Sequence, residues 1–165
     1  MFDTPNYTPR QLNTLRRIFH AMNHFMVFMW RIGMGRMINW WPAMTGRIMV
    51  IKHRGRKTGK EYLTPVNYAI VEHEIYCMAG FGSGTDWYRN LLANPDLQLW
   101  LPEGRQRAHA TDVSDSPLRP ILFREIAIAS GFAAPLFGVD PRKLTDDQMA
   151  KIGKDYRFVH FELEK

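Results

Sequence analysis

One eight-residue segment, 53–60, carries the side chains best suited to chemistry in this sequence. Its basic residues and the glycines among them are Arg54, Gly55, Arg56, Lys57, Gly59 and Lys60. Glycines permit a tight turn whose successive backbone N–H groups form an anion-binding nest, which the cations and the Thr58 hydroxyl would surround. It is not a Walker-type phosphate loop, because Glu61 stands where Ser or Thr is required. On these residues alone, a solvent-exposed basic turn explains the pattern equally well.

A second segment, residues 79–95, combines a glycine-rich stretch with the start of a helix. Its glycines are Gly80, Gly82 and Gly84. They let backbone approach a ligand closely, and Thr85 is placed to cap a helix whose positive end would face the same ligand. The alternative is an ordinary capped helix with Trp87, Leu91 and Leu92 in the core. For Trp87 and Leu91 we favour that alternative.

Together, the two segments resemble the deazaflavin-dependent nitroreductase and quinone-reductase family. The family carries a Gly-Arg-Lys-Thr-Gly turn, here 55–59, followed by Trp-Tyr-x-Asn-Leu-x-Ala-Asn-Pro, here 87–95. The resemblance covers roughly residues 45–115 and implies a split β-barrel that binds reduced coenzyme F-420, an 8-hydroxy-5-deazaflavin. It also implies hydride transfer to a quinone-like, nitroaromatic or conjugated-carbonyl acceptor.

The resemblance implies that the basic turn holds the cofactor's phosphate and acidic tail, that residues 63–66 line its ring and that the loop 80–83 closes over it. The predicted cofactor-binding residues are Arg54, Arg56, Lys57, Thr58, Gly59, Lys60, Leu63, Thr64, Pro65, Val66, Gly80, Phe81, Gly82, Ser83, Trp87, Tyr88 and Asn90. No catalytic acid is identified, and the final proton would come from solvent or from Tyr88.

The chain departs from the family at two places. Gly80-Phe81 stands where many members have Ser-Lys, and Phe132 and Phe137 stand in a segment where members carry tyrosines. The activity of other family members on a particular nitro compound is therefore not expected to carry over to this chain. Two other functions stay open: a reductase of the same fold that uses flavin mononucleotide (FMN), and a non-enzymatic, membrane-associated carrier of lipids or other hydrophobic ligands.

Basic residues are concentrated in the N-terminal third of the chain. Residues 1–60 hold eleven Lys or Arg and one acid, whereas 61–165 hold eleven Lys or Arg and fifteen acids. Apolar residues at three-and-four spacing predict an amphipathic helix over 10–31, and its last turns are apolar nearly all round. Packing against the barrel or a second subunit is favoured for residues 10–41, with peripheral membrane contact as the alternative. Nucleic-acid binding is not expected, because interleaved exposed aromatics are missing.

The 165 residues suit one domain, in which 1–42 form a helical extension and 43–165 the cofactor-binding core. Alternating patterns predict a mainly β protein with helices, an α+β split barrel resembling FMN-binding proteins. The predicted strands are 47–53, 62–71, 75–79, 97–101, 106–113 and 158–163, and the predicted helices are 86–93, 117–129 and 145–152. Cys77 is expected to be an inert buried thiol, and no metal site is expected. Without a recognisable signal peptide or spanning segment, a cytoplasmic location is expected, with the inner face of the membrane as an alternative.

Overall fold

A computed structural model of the chain describes residues 22–40, 46–80, 82–131 and 140–164. The strands are β1 (Ile48–Arg54), β2 (Glu61–Val71), β3 (Glu74–Ala79), β4 (Asp96–Leu101), β5 (Gly104–Asp112) and β6 (Arg157–Leu163). The helices are α1 (residues 22–31 as far as it is described), α2 (Gly35–Ile38), α3 (Asp86–Ala93), α4 (Arg119–Ala129) and α5 (Asp146–Ile152). Each predicted strand is present with its ends moved by at most two residues, and α3 has the predicted bounds.

The six strands close into an antiparallel barrel in the order β1-β2-β3-β6-β5-β4. The barrel with its peripheral helices confirms the predicted fold class. The pairs β1–β2, β2–β3 and β4–β5 are antiparallel hairpins, and β1 also pairs with β4. Strand β6 lies between β3 and β5, with Cys77 opposite Val159 and Ala110 opposite Phe161. The predicted domain boundary at residue 42 lies outside the described residues and stays a prediction.

Alternation along the strands separates the barrel interior from the outer surface. On β1, Met49 and Ile51 belong to the interior cluster, which also contains Leu99 and Phe161. The interior thiol of Cys77 is fully buried, and burial raises its pKa well above the ordinary value, which agrees with the predicted inert thiol. Burial of this apolar interior is the main force that holds the strands together.

Two groups of helices cover the outside of the barrel. Helix α4 buries Leu122, Phe123 and Ile126 against Phe158 of β6 and Met149 of α5. Because Arg119 and Arg124 on α4 bond to backbone carbonyls of the segment 140–156, that segment is tied to the barrel.

At the other side, Trp30 of α1 packs on Val50 and Trp100. Gly35 permits this contact, since a Cβ atom there would lie 2.3 Å from the Trp30 ring. The predicted helix over 10–31 is present for its described part, and residues 10–21 lie outside the described ranges. Among the residues described, no helix has the length and apolar character needed to cross a bilayer.

Candidate active site

The two chemistry-bearing segments meet at one end of the barrel. A cleft of about 460 Å³ lies where the turn after β1 approaches the first turns of α3. Its lining residues are His53, Gly55, Arg56, Lys57, Thr58, Tyr62, Thr64, Asp86, Trp87 and Asn90. Residues far apart in sequence therefore share one concave surface.

The basic turn is shaped by its own backbone hydrogen bonds. The Gly55 N–H donates to the Lys60 carbonyl and the Gly59 N–H to the Gly55 carbonyl, each at 2.8 Å. Gly59 has a φ of +65°, and a Cβ atom at Gly55 would meet the Tyr62 ring at 2.7 Å. The prediction that successive backbone amides form an anion-binding nest is wrong for Gly55 and Gly59, because their N–H groups donate to carbonyls within the turn. Contact with an anion therefore falls mainly to the side chains.

Those side chains differ in what they contact. Arg56 reaches α3, where its Nη2 lies 3.0 Å from Asp86 Oδ1 and its Nη1 lies 2.9 Å from Asn90 Oδ1. Lys57 and Lys60 are exposed and form no ion pair with any other described residue. Arg56 thus fixes the turn against the helix. Lys57 lines the cleft as an available cation, and Lys60 lies in the same turn outside the cleft lining.

A buried polar chain runs behind the cleft wall. Asn90, which is 6% exposed, accepts a second bond from the Arg56 backbone N–H at 3.1 Å. Its Nδ2 lies 3.4 Å from His53 Nδ1, and His53 Nε2 lies 3.0 Å from Thr64 Oγ1. His53 is 4% exposed, and burial lowers its pKa against a raising influence from the Arg54 backbone. A neutral imidazole follows.

Sequence reasoning missed His53, Tyr62, Gly55 and Asp86 as cleft residues. No acid or nucleophile pattern around His53 in the sequence marks it as a site residue. Strand pairing places it directly opposite Tyr62, and the two rings stack with centroids 5.8 Å apart. The signal available in the sequence was the alternation of β2, which puts Tyr62 and Thr64 on one face.

Only one of the four residues predicted to line the ring does line the cleft. Thr64 forms part of the wall. Leu63 instead packs with Trp30, Val50 and Trp100, and Val66 packs on the barrel interior. Period-two alternation separates neighbours on a strand, so the side chains of the contiguous set 63–66 do not share one face.

The glycine-rich loop before α3 lies against the C-terminal part of the chain. Gly82 is buried at a φ of +62°, and a Cβ atom there would lie 2.4 Å from the Asp155 carbonyl oxygen. Arg89 Nε donates to the Ser83 carbonyl at 2.7 Å. Gly80 and Ser83 do not line the cleft as it stands, and Phe81 lies outside the described residues.

Helix α3 begins as predicted, but its cap differs. Thr85 occupies the N-cap position without a side-chain capping bond, and its buried Oγ1 has no partner among the residues described. Leu91 is in the core and Trp87 packs partly against it, as expected, whereas Leu92 is exposed. The helix therefore contributes Trp87 and Asn90 to the cleft rather than a side-chain-capped N-terminus.

Tyr88 faces away from the cleft lining. Its hydroxyl donates to Asp112 Oδ2 at 2.8 Å, and burial followed by the Asp112 contact raises its pKa. Partial burial alone would raise the pKa of Asp112, but bonds from Ser114 and Tyr88 outweigh it and hold that pKa below the ordinary value. This tyrosine is a structural anchor, and the suggestion that it donates a proton to substrate is not supported by its position.

The comparisons with known proteins agree with this fold. The chain is 30% identical over 69 residues to a Mycobacterium tuberculosis protein, Rv3178, named as an F420H(2)-dependent quinone reductase. That match spans 40% of this chain and 58% of the relative. The crystal structure of Rv2991, a conserved protein of the same organism, superposes with a TM-score of 0.55 at 15% identity, over 73% of this chain and 75% of that one.

Agrobacterium tumefaciens Atu2129, of unknown function, superposes with a TM-score of 0.51 at 18% identity, over 74% of this chain and 51% of that one. At these identities the two solved structures establish the fold alone. The sequence profile of the F420H(2)-dependent quinone reductases matches residues 26–133, which is well over half of the chain and confirms both the predicted family and its deazaflavin cofactor. The chain belongs to the F420H(2)-dependent quinone reductase family.

Proposed function

We propose that this protein is an oxidoreductase that passes a hydride from reduced coenzyme F-420 to a quinone-like acceptor. The observation that carries the proposal is the cleft itself, in which the exposed Lys57 joins a wall of aromatic and hydroxyl side chains and the exposed Lys60 lies further along the same turn. Nitroaromatic and conjugated-carbonyl compounds are further acceptors of the same electrophilic character.

The residues present fit the cofactor at both of its ends. Lys57 and Lys60 offer mobile cations to a phosphate and an acidic tail, and Arg56 adds charge beside them. Trp87 and Tyr62 provide flat surfaces for a ring system, since aromatic faces stack favourably on planar ligands. When bound, the reduced deazaflavin supplies the hydride, so the protein needs no nucleophile of its own.

The chain's own contribution is binding, orientation and exclusion of water. Asp86 and Asn90 hold Arg56, and Arg56 holds the turn, so the lysines are presented from a fixed backbone. A rigid wall lowers the entropic cost of aligning two flat reactants. Half-buried Trp87 covers one side of the cleft and reduces its exposure to solvent.

Titration of deazaflavin fluorescence tests the proposal on the double variant Lys57→Ala, Lys60→Ala. Each exposed cation contributes about 1 kcal/mol to an anion contact, so affinity should fall about 30-fold. Raising the salt concentration should shrink the difference, because the contacts are solvent-exposed. The matched control is Lys151→Ala, Lys154→Ala, which also removes two positive charges. Both lysines are exposed, Lys151 in the last turn of α5 and Lys154 shortly after that helix.

Equal deazaflavin affinity in the wild type and the Lys57, Lys60 variant would exclude the basic turn as the cofactor site. A parallel titration with FMN separates the two cofactors. Tighter binding of FMN than of deazaflavin would favour the FMN-dependent alternative. Binding of fatty acids but of neither cofactor would favour the carrier.

We further propose that the reductase works at an anionic membrane surface, on the cytoplasmic side, where hydrophobic quinones are dissolved. Phe25 and Phe28 on α1 and Ile32 directly after it form an exposed stripe, and Phe25 is 62% exposed. Trp40, 88% exposed, continues the apolar surface beyond α2. The exposed Arg31 and Arg36 side chains complement acidic lipid headgroups, which is the pattern of an interfacial helix.

Co-sedimentation with phosphatidylglycerol and phosphatidylcholine vesicles tests the membrane proposal. The wild type should bind the anionic vesicles, and Phe25→Ser, Trp40→Ser should weaken that binding by at least about 10-fold through lost apolar burial. The control Leu92→Ser, Ile121→Ser removes two exposed apolar residues elsewhere and should bind like the wild type. A concentration-dependent dimer that the Phe25, Trp40 variant abolishes, without vesicle binding, would assign this surface to a homodimer instead.

A further inference from the structure

We propose that His53 is a positioning residue that holds the Thr64 hydroxyl as a hydrogen-bond donor directed into the cleft, where it selects a ring carbonyl oxygen. The carbonyl belongs either to the deazaflavin ring or to the quinone-like acceptor. This inference rests on the proposed function for the identity of the ligand. The series of hydrogen bonds from Asn90 through His53 to Thr64, here called the donor chain, is a property of the protein itself.

The orientation of Asn90 fixes the first link of the donor chain. Its Oδ1 lies 3.1 Å from the Arg56 backbone nitrogen and 2.9 Å from Arg56 Nη1, and both of these groups can only donate. Oδ1 must therefore face Arg56, and Nδ2 must face His53. Because an amide NH₂ group donates, the His53 Nδ1 that it approaches at 3.4 Å is the unprotonated ring nitrogen.

The second link follows from the neutral state of His53. Burial disfavours the imidazolium and lowers the pKa of His53, against a smaller raising influence from a hydrogen bond with the Arg54 backbone. A neutral imidazole with an unprotonated Nδ1 carries its proton on Nε2. That N–H donates to Thr64 Oγ1 at 3.0 Å.

The Thr64 hydroxyl oxygen therefore accepts the bond from His53, and the hydroxyl proton can be donated to a second group. In the described part of the chain its Oγ1 forms no bond besides the one to His53. Thr64 lines the cleft, so its remaining proton is available to a ligand there. A donor fixed in this sense favours a carbonyl oxygen and disfavours a ligand N–H or O–H, since two donors cannot satisfy each other.

The donor chain is tested without any ligand by ¹⁵N NMR of protein labelled at histidine, with His53→Gln used to assign the signal. We expect His53 to be the tautomer with a protonated Nε2 and an unprotonated Nδ1 at neutral pH. Asn90→Asp places a carboxylate against Nδ1 while keeping oxygens for Arg56, and should move a proton onto Nδ1. A wild-type His53 protonated at Nδ1 would overturn the proposal.

The donor role is tested by comparing Thr64→Val with Thr64→Ser, and His53→Leu with His53→Gln. Thr64→Val and His53→Leu should each weaken ligand binding by about 10-fold, the effect of one lost hydrogen bond. Thr64→Ser and His53→Gln restore the donor and should recover most of that loss. Loss of deazaflavin affinity places the carbonyl on the cofactor, whereas a raised KM for the quinone at unchanged deazaflavin affinity places it on the acceptor.

A Thr64→Val variant that matches the wild type in both deazaflavin affinity and quinone KM would overturn the donor role. If the wild-type protein bound no deazaflavin, the proposed function would fail, and the NMR tautomer would still decide whether the donor chain exists. Far-UV circular dichroism of each variant separates a folding defect from a binding defect.

Discussion

Replacing Asn90 by leucine is expected to lower the free energy of unfolding by about 3 kcal/mol and to weaken deazaflavin binding by at least about 10-fold. The amide accepts two bonds from Arg56 and approaches His53, and it is 6% exposed. Leucine has a similar size but would leave the Arg56 N–H and His53 Nδ1 without partners. The basic turn would keep only the exposed Arg56–Asp86 contact with α3, so its lysines would be held less firmly beside the cleft.

Urea unfolding and deazaflavin titration measure the two effects of Asn90→Leu. Asn90→Asp, which keeps oxygens for Arg56, should retain most of the stability. Asn94→Leu is the matched control at the C-terminal end of the same helix, where no side-chain bond is present among the described residues. An unfolding midpoint of Asn90→Leu equal to that of Asn94→Leu would contradict the central role of Asn90.

Arg119→Leu is expected to destabilise the protein by about 3 kcal/mol. Its guanidinium donates to the backbone carbonyls of Ser114, Gly153, Lys154 and Tyr156. One planar fork thus joins the start of α4 to the turn that precedes β6. Loss of these charge-assisted bonds leaves several carbonyls without partners, which costs more than loss of an exposed ion pair.

The Arg119 substitution should also weaken deazaflavin binding, although the residue is remote from the cleft. The turn that Arg119 holds includes Asp155, whose carbonyl oxygen lies against Gly82 in the loop before α3. Thermal unfolding and cofactor titration are compared with Arg142→Leu, an exposed arginine of the same segment. If Arg119→Leu and Arg142→Leu melted at the same temperature, the carbonyl contacts would not be stabilising.

Local signals explain which elements could be predicted from the sequence. Helix α3 has the predicted bounds because apolar spacing defines its face and Asn94-Pro95 ends it. The hairpin between β2 and β3 turns at Glu72 and His73, which both adopt positive φ, as in a type I′ turn. Such features depend on a few adjacent residues.

The parts of the site that could not be predicted depend on contacts between distant residues. The burial of His53 follows from pairing with β2 and packing under Asn90, which is 37 positions away. Likewise, the commitment of Arg56 to Asp86 and Asn90 divides the basic turn into a structural arginine and two available lysines. From residue type alone, Arg56, Lys57 and Lys60 are all expected to bind the anionic groups of the cofactor.

The position of β6 in the barrel has a consequence for how the protein is made. All the residues that line the cleft emerge from the ribosome before β6 does. The barrel closes only when β6 pairs with both β3 and β5. Until then a nascent chain presents two unpaired strand edges, which invite association with other chains. We therefore expect the closed barrel, and with it the folded cleft, to form only after β6 has left the ribosome.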